Sequence, residues 1–252
     1  MFRVMSFNVL CWGEGEHSID NRIPLVTSII KKYMPDSFGV QEAHKKWIDA
    51  LVDGLPDYNY VGVGRDDGRE KGEYAAVFYR KDRFSASDSG NFWISETPDT
   101  PSKGWDAACI RIATYVKLTD KNTGESYIHF NTHLDHIGMK AQINGAKMIQ
   151  EKASSFGGQP VVATGDFNVM PDSECYKTMI SANLADARSL AHDTDDCYTF
   201  HWFRPDEYHD IIDYVFVDKN TVEPVKFKVI NEKVDGKFYS DHYAVYADIE
   251  LK

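Results

Sequence analysis

The sequence contains no long apolar run, no excess of basic residues and no paired cysteine motif. No stretch approaches the roughly 18 consecutive apolar residues that a membrane-spanning helix needs, so no membrane association is expected. The chain enters a strand pattern at Phe2 without a charged and then apolar leader. This start is typical of a cytoplasmic protein, and we expect that location.

Basic residues are also few, because 28 Lys and Arg oppose 39 Asp and Glu and leave a formal net charge of −11. An acidic chain does not attract a long polyanion, so tight non-specific binding to duplex nucleic acid is disfavoured. A local cleft that holds a divalent cation stays compatible with this charge, because a bound ion dominates the field in its own site.

The four cysteines lie far apart, and no two of them form a C-x-x-C pair. Such scatter favours free, mostly buried thiols over disulfides or a zinc site. The cysteines are Cys11, Cys109, Cys175 and Cys197.

Short strand patterns outnumber helical ones, and no linker rich in Ser, Gly or Pro interrupts them. A chain of 252 residues, 42% of them hydrophobic, can build one large core. We therefore expect one domain over residues 1–252, with two packed sheets and helices outside. Strands are expected at 2–9, 37–40, 58–63, 74–79, 84–94, 111–118, 127–133, 161–164, 213–217, 222–229 and 243–251. Helices are expected after a cap at Asp20 and at 44–52, 139–153 and 174–180.

Polar residues stand at the ends of six of these apolar strands. In open α/β structures ligands bind where strand ends and their loops converge, so these side chains are expected to meet. They are Asn8, Glu42, His133, Asp166 with Asn168, Asp213, and Asp241 with His242.

Three of these residues suit a hard cation. Carboxylate and amide oxygens together with water are the ligands that Mg²⁺ or Mn²⁺ prefers. We expect Glu42 to be the first metal ligand, with Asn8 and Asp241 as its partners. Such a cation would neutralise the non-bridging oxygens of a phosphate ester.

The other residues suit the hydrolysis itself. Asp166 is the expected base that deprotonates a water, and Asn168 is expected to hold the phosphate or that carboxylate. His242 beside Asp213 is expected to be a cationic imidazole. His133 would supply a second contact to the phosphate.

Six short motifs carry a resemblance to the endonuclease/exonuclease/phosphatase family, whose fold is DNase I-like. They are Ser6-Phe-Asn-Val, Gln41-Glu42, Asn131-Thr-His133, Gly165-Asp-Phe-Asn168, Ile212-Asp-Tyr-Val215 and Ser240-Asp-His242. The resemblance implies an α/β fold, a four-layer α/β/β/α sandwich of two mixed sheets flanked by helices. It also implies a metal-dependent phosphoric ester hydrolase whose site lies at one end of the sandwich.

Segments 92–98, 102–107, 111–114 and 133–136 resemble bacterial members nearest the deadenylase and nocturnin-type enzymes. This likeness implies that Arg111 reaches the phosphate, and it makes Trp105 and His136 candidates for substrate binding. Trp93 is expected in the core, and the mixed-charge loop 65–72 is expected in solvent. Asp135 and His136 either orient the loop beside the site, which is favoured, or contact the substrate. Leu10 stands where apurinic endonucleases carry an Asp, so no second metal ligand is expected there.

The expected reaction is hydrolysis of a phosphodiester by in-line attack of a water activated by Asp166. Branch resemblance ranks a single-stranded nucleic acid or nucleotide first, as for a 3′–5′ exonuclease acting as a monomer. A small phosphorylated metabolite, as monoester or diester, is the alternative. A catalytically silent binding member would be expected to lose Glu42, Asp166 or His242, and all three are present. A metallo-β-lactamase-like metal site would lack its first histidine, because Asn131 stands there.

Overall fold

A computed structural model describes residues 1–252 as two mixed sheets that pack face to face. The strands are β1 (Phe2–Asn8), β2 (Ser37–Gln41), β3 (Tyr58–Val61), β4 (Val77–Arg80), β5 (Phe84–Trp93), β6 (Ile112–Asp120), β7 (Ser126–His133), β8 (Val161–Asp166), β9 (Leu184–Asp186), β10 (Asp193–Thr194), β11 (Asp213–Asp218), β12 (Val222–Val229) and β13 (Val245–Leu251). The helices are α1 (Ile19–Tyr33), α2 (Lys45–Gly54), α3 (Met139–Ser154), α4 (Glu174–Met179) and α5 (Ala187–Leu190), with a 3₁₀ turn at Gly15–His17.

The strand order brings together the strand ends that carry the polar residues. The first sheet runs β10-β12-β13-β1-β2-β4-β3, and the second runs β5-β6-β7-β8-β11-β9. β1 is parallel to β2, and β7 is parallel to β8. Since the carboxyl ends of parallel neighbours share an edge, Asn8 pairs with Gln41 and His133 pairs with Asp166. Antiparallel β11 places Asp213 opposite Asp166.

Apolar packing explains the four layers. The larger core cluster combines inner residues of both sheets with the inward faces of α1 and α2, such as Ile29 and the fully buried Trp47. A smaller cluster packs Ile149 of α3 and Met179 of α4 against Phe216 of the second sheet. Each sheet therefore has helices on its outer face, and the expected α/β/β/α sandwich is confirmed.

A buried polar network joins the sheets beneath the site. The Asn131 amide on β7 donates to the carbonyls of Val40 (2.9 Å) and Ala76 (3.0 Å) in the first sheet. The Gln41 amide donates back to Asn131 Oδ1 at 2.7 Å. Glu42 directly follows Gln41, and Asp166 lies on the strand next to Asn131. This network therefore fixes the position of Glu42 in the first sheet relative to Asp166 in the second sheet.

Expected and observed elements differ mainly in short segments. Ser18, not Asp20, is the N-cap residue of α1, and Asp20 lies in the first turn, where it pairs with Lys46. The strand expected at 74–79 begins only at Val77, and that expected at 243–251 begins at Val245. No sequence pattern predicts β9, β10 and α5, because these elements are too short to show a period.

No helix of the structure combines the length and the apolarity needed to cross a bilayer. All four cysteines are free, as expected. Only Cys175 is buried, so the expectation that most of the thiols are buried is wrong.

Candidate active site

Three non-glycine residues beside the strand ends adopt the left-handed backbone conformation. They are Leu10 (φ 55°), Glu42 (φ 60°) and Asn168 (φ 53°), which follow β1, β2 and β8. This conformation costs roughly 1–2 kcal/mol for an L-residue and persists where surrounding contacts impose it. Here it accompanies the hydrogen bonds that hold the polar side chains at one edge of the sandwich.

Asn8 joins the carboxylates of the two sheets. Its Nδ2 donates to Glu42 Oε1 at 3.0 Å and to Asp166 Oδ2 at 2.9 Å, while its Oδ1 accepts the Leu10 N–H at 3.0 Å. Glu42 Oε2 accepts the Cys11 N–H at 2.9 Å. In this arrangement Asn8 is a donor that spaces two carboxylates, which differs from the oxygen ligand expected from the sequence.

The pKa values of Glu42 and Asp241 are shifted in opposite directions. Burial acts to raise the pKa of Glu42, but the His133 imidazole and the Cys11 and Asn8 donors outweigh it and lower the pKa to about 2. Burial, and to a lesser extent the charge of Glu42, raise the pKa of Asp241 to about 6, although His242 opposes the shift. Two carboxylates in one buried site repel each other, and a cation between them would relieve that repulsion.

His242 forms a buried pair with Asp213. Its Nδ1–H donates to Asp213 Oδ2 at 2.8 Å, and its Nε2 lies 3.8 Å from Asp166 Oδ2. Burial alone would lower the pKa of His242, but the charge and hydrogen bond of Asp213 raise it well above the usual value for histidine. The ring is therefore a cation that points its second N–H into the site.

Asp166 is the common neighbour of both imidazoles. Its Oδ1 accepts the Asn168 N–H at 2.9 Å, and its Oδ2 lies 3.5 Å from His133 Nε2. The Asn168 amide donates to His133 Nε2 at 2.9 Å and to the Leu134 carbonyl at 3.0 Å. These contacts fix the orientation of the Asp166 carboxylate.

The converging side chains line an open cleft of about 430 Å³. Ligand atoms of Glu42, Asp166 and His242 all lie within 4.8 Å of one another, so an ion bound by the two carboxylates would lie beside the His242 imidazolium. The cleft is lined by Trp12, Glu42, Arg65, Glu73, Cys109, Arg111, His133, His136, Asp166, Asn168, Phe200, Trp202, Asp210, Ile212, Asp241 and His242.

Glu73 is a site residue that the sequence reasoning missed. Its Oε2 lies 2.6 Å from Arg65 Nη1 and 3.7 Å from His133 Nδ1. Burial opposes its ionisation, but the hydrogen bond and charge of His133 and the charge of Arg65 lower the pKa of Glu73. Glu73 directly precedes the expected strand 74–79, so it is another carboxylate at a strand end, and that position was the available sequence signal. Most of loop 65–72 is exposed as expected, but the Arg65 side chain turns inward.

Arg111 places a buried guanidinium at the wall of the cleft. Only 5% of the residue is exposed, and its Nη2 lies 3.3 Å from His136 Nδ1. Its Nε and Nη1 form no hydrogen bond, and they lie 3.7 Å from Asp135 Oδ2 and 3.9 Å from Glu73 Oε2. A guanidinium whose carboxylate neighbours lie beyond hydrogen-bond distance fits an anion such as phosphate. Exposed His136 lies beside it at the rim.

Asp135 organises the adjacent loops. Its carboxylate accepts the backbone N–H groups of Ala108, Cys109, Ile137 and Gly138. These four bonds overcome burial and hold the pKa of Asp135 well below its usual range. The loop-orienting role favoured from the sequence agrees with these contacts.

The structure does not bring Trp105 into the cleft, so the expected substrate contact is corrected. Its half-buried side chain packs against the smaller core cluster, because the neighbouring Asp106 holds this segment at the start of α3 by accepting the N–H groups of Lys140 and Ala141. Trp93 is buried, and its indole N–H donates to the Arg65 carbonyl at 2.7 Å. The aromatic wall of the cleft comes from Trp12, Phe200 and Trp202, which carry no sequence signal of their own.

Two mixed sheets flanked by helices, with a carboxylate and imidazole cleft at one end, define a DNase I-like α/β sandwich. The sequence profile of the Endonuclease/Exonuclease/phosphatase family matches residues 5–242. The chain belongs to this family, and the resemblance inferred from the six motifs is confirmed.

Solved structures agree with this assignment. A family member from Bacteroides vulgatus is 38% identical, with a TM-score of 0.95 over 100% of this chain and 99% of its own. A mannosyl-6-phosphatase of Bacteroides thetaiotaomicron is 32% identical, with a TM-score of 0.91 over 99% of this chain and 100% of its own. The human nocturnin catalytic domain is 21% identical, with a TM-score of 0.78 over 100% of this chain and 93% of its own, and it shows the shared fold.

Proposed function

We propose that residues 1–252 form one catalytic domain, a divalent-metal-dependent phosphoesterase that removes phosphate from a phosphorylated sugar. The observation that carries the proposal is the convergence of Glu42, Asp166 and His242 within 4.8 Å in a cleft that the Arg111 guanidinium also lines. Such a cleft combines ligands for a cation with donors for an anion. Both are needed to bind and polarise a phosphate ester.

The donor set fits a hard divalent cation. Glu42 is ionised well below neutral pH, and burial beside Glu42 raises the pKa of Asp241 to about 6. Glu42 would hold the ion, with Asp241 and the Asp166 carboxylate facing it. A bound Mg²⁺ or Mn²⁺ would neutralise charge on the phosphate oxygens.

The phosphate would bind at the side of the cleft that carries the cationic side chains of Arg111 and His242. Arg111 offers Nε–H and Nη1–H, and His242 offers Nε2–H from an imidazolium that Asp213 keeps charged. His133 and Asn168, whose side chains are hydrogen-bonded to each other at 2.9 Å, line the same cleft and would lie beside the phosphate. Donors fixed in this way stabilise charge that develops on the phosphoryl oxygens.

Asp166 is placed to take a proton from the attacking water. Its orientation is fixed by the Asn168 N–H and by Asn8, at 2.9 Å each. The water oxygen would bond to phosphorus as the bond to the sugar oxygen breaks in line with it. The departing sugar oxygen takes a proton from bulk water, Asp166 returns its proton to solvent, and inorganic phosphate remains.

Two observations support a sugar phosphate over a nucleic acid. The Bacteroides thetaiotaomicron relative, which covers nearly the whole chain, is a mannosyl-6-phosphatase. The net charge of −11 also disfavours a polyanion. This choice reverses the substrate order expected from the sequence.

A nuclease acting on a short single strand is the second candidate function. Trp12 and Trp202 line the cleft and are 57% and 39% exposed, and exposed aromatic rings also stack on nucleobases.

A substrate panel separates these functions. Methyl mannoside 6-phosphate, p-nitrophenyl phosphate, bis-p-nitrophenyl phosphate and oligo(A) would each be assayed with Mg²⁺, with Mn²⁺ and with EDTA. Metal-dependent release of phosphate from the sugar monoester, faster than cleavage of either diester, is expected. Faster cleavage of oligo(A) would favour the nuclease, and full activity in EDTA would remove the metal from the proposal.

A further inference from the structure

A second cavity of about 250 Å³ adjoins the catalytic cleft. The two spaces share Trp12, Trp202 and Asp241, so they meet at a common aromatic and acidic wall. The remaining lining of the second cavity is Leu10, Gly13, Glu14, His17 and Phe203. None of these five residues has a role in the proposed chemistry.

One wall of this adjoining cavity is fixed by a buried arginine. The Arg22 guanidinium donates to the carbonyls of Leu10 and Trp12 at 2.9 Å each, to that of His17 at 2.7 Å, and to that of Val9. Burial lowers the pKa of Arg22 to about 10, and it stays charged at neutral pH. The loop that carries Trp12 is therefore held at four backbone points.

The opposite wall is also fixed. Trp202 (φ 47°) and Phe203 (φ 58°) are both in the left-handed region. The Trp202 and His201 N–H groups donate to the Asp241 carbonyl at 3.2 and 2.9 Å. Phe203 then stacks on His17 of the other wall, with ring centroids 3.8 Å apart and an interplanar angle of 15°. The contact joins the two walls of the cavity.

We propose that the adjoining cavity binds a second sugar ring, next to the ring that carries the phosphate in the catalytic cleft. The inference rests on the proposed function and deepens it. The preferred substrate is then a phosphorylated disaccharide or larger glycan, in which the second ring lies against Trp12 and Trp202.

The lining favours an uncharged pyranose over other occupants. Trp12 and Trp202, which meet edge to face with ring centroids 6.2 Å apart, offer apolar surface for the C–H face of a sugar. Phe203, stacked on His17, adds apolar surface, and Glu14 and His17 offer partners for the sugar hydroxyls. The carboxylates of Glu14 and Asp241 would repel the next phosphate of a nucleotide chain. A space of this size is below the roughly 300–1,000 Å³ of a drug-sized ligand site, which suits a single ring.

The test compares two substrates that differ by one ring. Methyl mannoside 6-phosphate and a mannose disaccharide phosphorylated at O6 of its non-reducing ring are assayed with the wild-type chain of 252 residues. The disaccharide phosphate is expected to have a kcat/KM about tenfold higher, because burying tens of Å² of apolar surface of the second ring stabilises the bound state by about 1.4 kcal/mol. In Trp12→Ala and in Phe203→Leu this ratio is expected to fall toward one.

The ratio is measured within each variant, so a partly unfolded preparation alters both rates equally and leaves it unchanged. Leu190→Ala is the matched control, because Leu190 is also exposed and apolar but lies outside both cavities, and it should keep the wild-type ratio. Equal kcat/KM values in the wild type would overturn the second-ring site and leave the proposed function standing. Hydrolysis of p-nitrophenyl phosphate without hydrolysis of either sugar phosphate would overturn both.

Discussion

The pair between His242 and Asp213 should set the alkaline limit of activity. The two side chains are buried and 2.8 Å apart, and Asp213 raises the pKa of His242 well above its usual value. Asp213→Asn keeps the size and an acceptor oxygen but removes the charge. An opposite charge at this distance is worth about 1–3 pH units, so the alkaline limb of kcat/KM should move down by that amount.

The magnitude depends on pH in a calculable way. Without Asp213 the pKa of His242 returns toward about 6.5, so about a quarter of the rings are charged at pH 7. Activity on p-nitrophenyl phosphate should then fall about fourfold at pH 7 and roughly 10–250-fold at pH 9. A pH–rate profile from pH 5 to 9.5 would measure both.

Stability should follow the same linkage. Because the pKa of His242 is raised by folding, the pair stabilises the fold fully below about pH 6.5, and the stabilisation is lost as pH rises through the raised pKa. A pKa shift of one unit is worth about 1.4 kcal/mol, and Asp213 is expected to shift the pKa of His242 by about 1–3 units. Asp213→Asn should therefore lower the free energy of unfolding at pH 6 by about 1.4–4 kcal/mol in urea titrations.

Asp218→Asn is the matched control for this variant. Asp218 ends the same strand, is also buried, and accepts the Asn220 N–H at 2.9 Å, far from the cleft. Its pH profile should equal that of the wild type. If the alkaline limb of Asp213→Asn stays where the wild type has it while the protein is folded, the charged imidazole does not govern that limb and the reasoning fails.

Five further perturbations test the site. Asp166→Asn should lower kcat at least about 100-fold with an unchanged circular dichroism spectrum, and a near-normal rate would remove the proposed base. EDTA should abolish activity, and Glu42→Gln should raise the Mn²⁺ concentration for half-maximal activity at least about tenfold, as seen in metal titrations. Arg111→Met should weaken inhibition by inorganic phosphate about tenfold or more, because it removes a charged donor pair; an unchanged inhibition constant would place the phosphate elsewhere. Asn131→Ala should lower the free energy of unfolding by about 2–4 kcal/mol in urea, because buried carbonyls and an amide lose their partners.

The polar strand ends could be predicted from the sequence for a physical reason. Parallel strands end at a common edge, so a carboxylate or imidazole that follows each apolar run must lie near the others. This rule found Glu42, Asp166 and His242 although 200 residues separate the first from the last. The two-sheet architecture could also be predicted, because alternating and fully apolar runs indicate which strand faces are buried.

The loop contributions could not be predicted in the same way. Trp12 faces the cleft because Arg22 fixes its backbone, and Trp202 does so through a left-handed turn anchored on the Asp241 carbonyl. Neither cause leaves a periodic pattern in the sequence. Trp105 shows the opposite error, since a tryptophan near a motif gives no indication of which face of its loop it occupies.

A crystal structure with Mn²⁺ and inorganic phosphate would test the central claim most directly. The anomalous signal of the ion should lie within bonding distance of a Glu42 oxygen, about 2.1–2.3 Å, with Asp166 and Asp241 around it. The phosphate should lie between that ion, the Arg111 guanidinium and His242 Nε2. An ion bound away from Glu42, or a phosphate that contacts neither Arg111 nor His242, would contradict a single phosphoesterase site built from these strand ends.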